Sequence, residues 1–132
     1  VKENVKIPVI GNGDVASPED ALKKINYSKV DGLAIGRGAI GNSYIFGQIE
    51  ELIKNGDYYK PSDKEKLLLM IDELERKIAY KGEKLGILEM RKVYAEYFKG
   101  MKGSKEVRNK LNTLKDKEEI MEVIRTYIDN LD

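Results

Sequence analysis

The sequence predicts two segments of different class. Residues 1–60 read as an α/β segment with two βα units of a parallel sheet, and residues 61–132 as an all-α four-helix bundle. Three observations predict this. Two short β-branched runs each end in glycine and lead towards a helix. From Pro61 onward, apolar residues recur at helical spacing with capping residues between the runs. Charged residues make up 36% of the chain and concentrate in its second half, as the solvated faces of amphipathic helices require.

The first strand is expected at Ile7-Pro8-Val9-Ile10, a buried parallel strand ended by Gly11. Ser17-Pro18-Glu19-Asp20 then starts a helix: serine at the N-cap, proline at the first helical position, acids in the first turn. That helix carries Ala21, Leu22 and Ile25 and fades at Asn26-Tyr27-Ser28. Val30 to Ile35 is the second buried strand, ended by Gly36. After the turn GRGAIGN, a helix is expected from about Tyr44 to Lys54, with Ile45, Ile49, Leu52 and Ile53 inward and Asn55-Gly56 as its stop. Strands alternating with helices imply crossovers and a parallel sheet. Two strands are too few for an independent sheet, so this half is expected to be a portion of a larger α/β domain. Its unpaired edge and uncovered apolar face predict self-association.

After Tyr58-Tyr59-Lys60-Pro61 the pattern changes. Ser62-Asp63-Lys64-Glu65 is a capping box that opens a helix to about Tyr80, with Leu67, Met70, Ile71, Leu74 and Ile78 on one side. Gly82 breaks it. A second helix is expected from about Glu83 to Lys99, a third capped by Ser104 and running to about Leu114, and a fourth capped by Asp116 with Glu119. Short loops between four helices predict an antiparallel bundle.

Composition excludes several chemistries. The 132 residues contain no cysteine, histidine or tryptophan, so thiol nucleophiles, disulfides, histidine triads and Cys/His zinc sites have no residues to build on. No metal site and no membrane span is expected, since no apolar run approaches the roughly 20 residues a span needs. A cytoplasmic setting is the default. Net charge is +1, from 24 basic and 23 acidic residues, so a polyanionic partner requires a local patch. The opening Val1, inside a polar lead-in, is expected of a piece of a longer protein.

Two features carry chemistry. Gly11-Asn12-Gly13-Asp14 and Gly36-Arg37-Gly38-Ala39 follow the two strands about one crossover unit apart. Glycine permits positive φ and close approach of a ligand to bare backbone, and helix starts offer free N–H groups to phosphate. Arg37 adds a bidentate partner. In a (β/α)₈ barrel such turns lie side by side at the C-terminal face, where a phosphate site is frequent. A lone G-x-G is more often a tight turn; two at matched strand ends favour the cradle. For Asp14, turn geometry or helix capping stands beside ligand contact. The second feature is a basic face: eight basic residues against three acids between Lys84 and Lys110. Lys84, Arg91, Lys92 and Lys99 share one side of the second helix, and Lys105, Arg108, Asn109 and Asn112 one side of the third. A solvated helical surface and a nucleic-acid face both fit this pattern.

The stretches IPVIGNGDVASPEDA, VDGLAIGRGAIGNSYIFGQI and ILEMRKVYAEYFKGMKGSKEVRNKLNTL, in this order, resemble the C-terminal part of bacterial tRNA-dihydrouridine synthases. The resemblance implies the last two βα units of an FMN-binding TIM barrel over residues 1–60 and a helical tRNA-binding domain over residues 61–132. It implies a parent flavoenzyme that reduces uridine in tRNA to 5,6-dihydrouridine. NADPH reduces FMN, hydride passes to uracil C6, and a cysteine protonates C5. By position, Asn12, Gly13, Asp14, Gly36 and Arg37 fall on the flavin-phosphate segments, and Arg91 and Lys92 on the basic helical motif. With Lys99, Arg108 and Asn109, that motif is expected to face tRNA. The sequence departs from the family at Val93, where histidine is frequent, at Glu96, where an aromatic is, and at Ser43-Tyr44, where Pro-Trp is common. It holds no catalytic residue, the cysteine being expected upstream, so the chain alone is expected to be inactive. The alternatives are a free-standing helical RNA-binding module and a portion of another phosphate-binding barrel enzyme.

Overall fold

Strands β1 (Ile10–Asn12) and β2 (Gly32–Ala34) pair in parallel, with Ile10 opposite Gly32, Gly11 opposite Leu33 and Asn12 opposite Ala34. The computed structural model describes residues 1–131. β1 therefore begins where the expected strand was to end, and it takes in the first glycine. Two features at its approach explain this. Pro8 has no N–H to give, and the Val9 N–H is taken at 2.8 Å by the Asp31 carboxylate, which also pairs with Lys2 Nζ at 2.6 Å. The run expected to be buried is largely open: Ile7 is 67% exposed and Ile10 62%.

Helix α1 (Pro18–Ser28) starts as its sequence requires. Ser17 Oγ accepts from the Asp20 N–H at 3.1 Å, and Asp20 reaches back to the Ala16 N–H. It ends at Lys29 in the left-handed conformation, and α2 (Ile45–Asn55) ends at Gly56, likewise left-handed. A small core of Val15, Ala21 and Ile45 joins these elements, with Leu33, Ile35 and Ile49 packed on it. Ile53, expected inward, is 54% exposed. Residues 57–60 are fastened to the helices. Buried Gln48 donates from Nε2 to the Tyr59 carbonyl at 2.9 Å, and the Glu51 carboxylate accepts from the Tyr59 N–H at 2.8 Å. The Tyr58 hydroxyl donates to Glu19 at 2.6 Å.

The chain divides into two compact units, one from Val1 to Lys60 and one from Pro61 onward. The second holds α3 (Asp63–Lys81), α4 (Glu83–Met90), α5 (Tyr94–Tyr97), α6 (Ser104–Leu111) and α7 (Lys117–Asp129). Ser62 and Asp116 cap α3 and α7 through the Glu65 and Glu119 N–H groups. Ser104 does not cap α6; Gly103 in the left-handed conformation turns the chain, and Ser104 is the first helical residue. The second expected helix is broken over Arg91–Val93. There the Lys92 and Val93 N–H groups bond three residues back, to Glu89 and Met90, which tightens the coil without any glycine or proline. Ile87, Met90, Val93, Tyr94, Tyr97 and Phe98, which recur at helical spacing, are all buried. Gly86 lets α4 approach α3 so closely that an added Cβ would lie 2.8 Å from the Ile78 nitrogen. The chain as described is mostly helical, with one small parallel sheet.

Candidate functional site

The two glycine turns are built together. Asn12 closes β1 against Ala34, and the chain then passes through Gly13 (φ 150°) and Asp14 (φ 40°) before burying Val15. Asp14 is one of two non-glycine residues with positive φ among those described, a conformation that aspartate tolerates better than most side chains. The Gly13 carbonyl accepts from Lys24 Nζ at 2.6 Å. On the neighbouring strand, Gly36 leads into a single 3₁₀ turn, Arg37–Ala39. Here Gly38 lies directly on the first turn: a Cβ would fall 1.8 Å from the Val15 carbonyl oxygen. Asn42 Nδ2 holds the Gly38 carbonyl at 3.1 Å.

This contact brings Arg37 Nη2 to 3.7 Å from Asp14 Oδ1, with the two side chains 93% and 87% exposed. At that exposure the pair itself contributes at most about 1 kcal/mol. An added Cβ at Gly13 or Gly36 would meet no atom within 4 Å, so the backbone at both positions is bare. The start of α1, expected to offer free N–H groups, is used internally. Pro18 has none, Ser17 takes that of Asp20, and Glu19 and Asp20 put negative charge in the first turn. Helix capping thus falls to Ser17, while Asp14 faces Arg37. An anion would be received by the glycine backbone and the guanidinium. Gly38 and Lys24 are the residues that sequence reasoning did not single out. Only the second glycine of GRG hinted at the former, and nothing signalled the latter.

The five residues of the basic face that are expected to face tRNA are placed unequally. Lys92, Lys99 and Asn109 are exposed, with Lys92 in the turn between α4 and α5. Arg91, just past the end of α4, is half-buried. Its Nη2 donates to the Leu114 carbonyl at 3.1 Å, and its Nε is buried without a hydrogen-bond partner. Arg108 is half-buried too, with its Nε in the same situation. Arg91 is therefore partly a structural residue, tying the start of the α4–α5 break to the segment after α6. The nearby Tyr94 hydroxyl is buried without a partner, and burial pushes its pKa up to about 12. Glu89, near the C-terminal end of α4, is held below the usual carboxylate range by Lys81 Nζ at 2.8 Å.

Among the described residues, no three acidic, histidine or cysteine side chains converge as metal ligands, and no helix is long and apolar enough to cross a membrane. The model of the dihydrouridine synthase family matches residues 1–132. A probable tRNA-dihydrouridine synthase of Rickettsia conorii is 35% identical over 128 residues, which are 96% of this chain and 39% of the relative. A tRNA-dihydrouridine synthase B of Pseudomonas putida is 36% identical over 88% of this chain and 35% of its own length. One of Shewanella oneidensis is 33% identical over 99% of this chain and 41% of its own. The chain thus spans 35–41% of the length of these relatives. With every residue inside the family match, the chain belongs to the dihydrouridine synthase family.

Proposed function

We propose that this chain is the C-terminal part of a cytoplasmic tRNA-dihydrouridine synthase. In that reading its first unit supplies the last two βα units of a flavin-binding (β/α)₈ barrel, and its second unit is a four-helix tRNA-binding domain with α4 and α5 as one interrupted helix. The observation that carries the reading is the junction of the two turns, Gly38 on Val15 with Arg37 beside Asp14, within a chain matched to the family from end to end. The exposed Ile7 and Ile10 support a sheet that continues beyond these two strands.

The phosphate of FMN would be held here by the backbone of Asn12, Gly13, Asp14 and Gly36 and by the Arg37 guanidinium. When bound and reduced by NADPH, FMN supplies the hydride for the uracil C5–C6 double bond. The chain itself binds and orients. The chain holds no cysteine, and the proton for C5 comes from a cysteine outside these residues. Alone it is therefore inactive, and its uncovered strand face favours self-association. Lys92, Lys99 and Asn109 contact tRNA directly, and Arg91 and Arg108 support them from half-buried positions.

Two measurements test this. A chain extended to the full length of its relatives should carry FMN and form dihydrouridine in unmodified tRNA with NADPH. A flavin-loaded protein that leaves every uridine intact rejects the proposal. The present chain should retard tRNA in gels in a salt-sensitive way, and Lys92→Glu/Lys99→Glu should abolish that retardation. An unchanged shift rejects the proposed face. Arg91 is left intact because reversing its charge would break the Leu114 contact as well.

A further inference from the structure

The cradle already contains an anion. Asp14 Oδ1 faces Arg37 Nη2 at 3.7 Å, and Nη2 is one of the two terminal nitrogens of the guanidinium fork. A phosphate bound side-on through both terminal nitrogens needs that nitrogen, so carboxylate and phosphate cannot hold it in the same way at once. The backbone does not account for the carboxylate. At φ 40° glycine or asparagine would serve the turn equally well, without placing a negative charge beside the guanidinium. The other cation at this turn, Lys24, is engaged with the Gly13 carbonyl rather than with Asp14.

We infer that Asp14 is a resident competitor at the phosphate cradle: its carboxylate pairs with Arg37 when no ligand is bound and is displaced when a phosphate group arrives. The inference rests on the cradle reading above and adds a threshold to it. Any anion that takes Arg37 must first displace the carboxylate, which weakens its binding by the few-fold that an exposed pair is worth. Both side chains are almost fully exposed, so the exchange requires no rearrangement of the fold.

The test uses this chain, labelled with ¹⁵N, and inorganic phosphate as the probe. The signals followed are the amides of Gly13, Gly36 and Gly38, which report on the cradle without any enzyme activity. Asp14→Asn keeps a residue suited to the turn, and it should lower the half-saturating phosphate about threefold, as expected for loss of an exposed ion pair. In an Arg37→Ala background the same substitution should bring no such gain. Saturable shifts in the original chain with no gain on Asp14→Asn overturn this inference and leave the cradle standing. A gain that persists without Arg37 also overturns it, because it would reflect bulk charge alone. If none of the chains shows saturable shifts at these amides, the cradle falls together with the competitor.

Discussion

Replacing Gly38 with alanine should pull the two turns apart. The added Cβ would lie 1.8 Å from the Val15 carbonyl oxygen and 2.9 Å from its carbon, where ordinary contact begins at 3.4 Å. Both atoms are backbone, so no rotamer change relieves the clash; one turn must move by roughly 1.6 Å. Val15 is buried in the small core beneath and resists that movement. Overpacking of this kind costs about 1–3 kcal/mol. Gly47 provides the control. It sits inside α2 with nothing within 4 Å of an added Cβ, so alanine there should stabilise the same unit by about 1 kcal/mol. Hydrogen exchange at the Asp31 and Ile45 amides, which bond the Val9 and Asn42 carbonyls, reads both effects in one unit. A loss of about 2 kcal/mol corresponds to roughly 30-fold faster exchange in Gly38→Ala, against slower exchange in Gly47→Ala. Equal protection in Gly38→Ala and the unaltered chain would refute the backbone contact, and with it the geometry that sets Arg37 beside Asp14.

Two further outcomes are expected. Gly86→Ala should lower the melting temperature of the helical unit by roughly 5–10 °C, because its Cβ would meet the Ile78 backbone at 2.8 and 2.9 Å; a rise would reject the close α3–α4 approach. Tyr58 should ionise late, since its hydroxyl donates to Glu19 and is pushed up to about 12, while Glu19 is held below the usual carboxylate range. The tyrosine's contribution to stability is complete below its ordinary value near 10 and fades as pH rises through 12; that of the glutamate is present at neutral pH and fades in acid. In an absorbance titration at about 295 nm, Glu19→Ala should move one tyrosine to lower pH, and superimposed curves would count against the bond.

Most local chemistry was legible in the sequence, and long-range chemistry was not. Ser17, Ser62 and Asp116 cap their helices as read, because a cap depends on residues three positions away; Ser104 does not, because Gly103 in the left-handed conformation takes the turn before it. The buried arc from Ile87 to Phe98 was readable from its spacing. The break at Arg91–Val93 was not, since it accompanies a bond from Arg91 to a carbonyl 23 residues on. β1 shifted for a similar reason: the Asp31 carboxylate, 22 residues away, takes the Val9 N–H. Both glycine turns were recognisable as turns, and Arg37 as their cation. The seating of Gly38 on Val15 and the orientation of Asp14 arise only when the strands pair, and no spacing rule encodes them.

The hold of α2 on Tyr59 decides where the chain can be divided for separate preparation of its parts. Gln48 and Glu51 satisfy both main-chain polar groups of Tyr59. A cut at Gly56 would leave the buried Gln48 amide without its acceptor, at a cost of about 1–3 kcal/mol to the α/β piece. It would also give the helical piece a ragged leader. A cut before Pro61 keeps that strap with the helices it is sewn to and leaves Ser62 in place to cap α3.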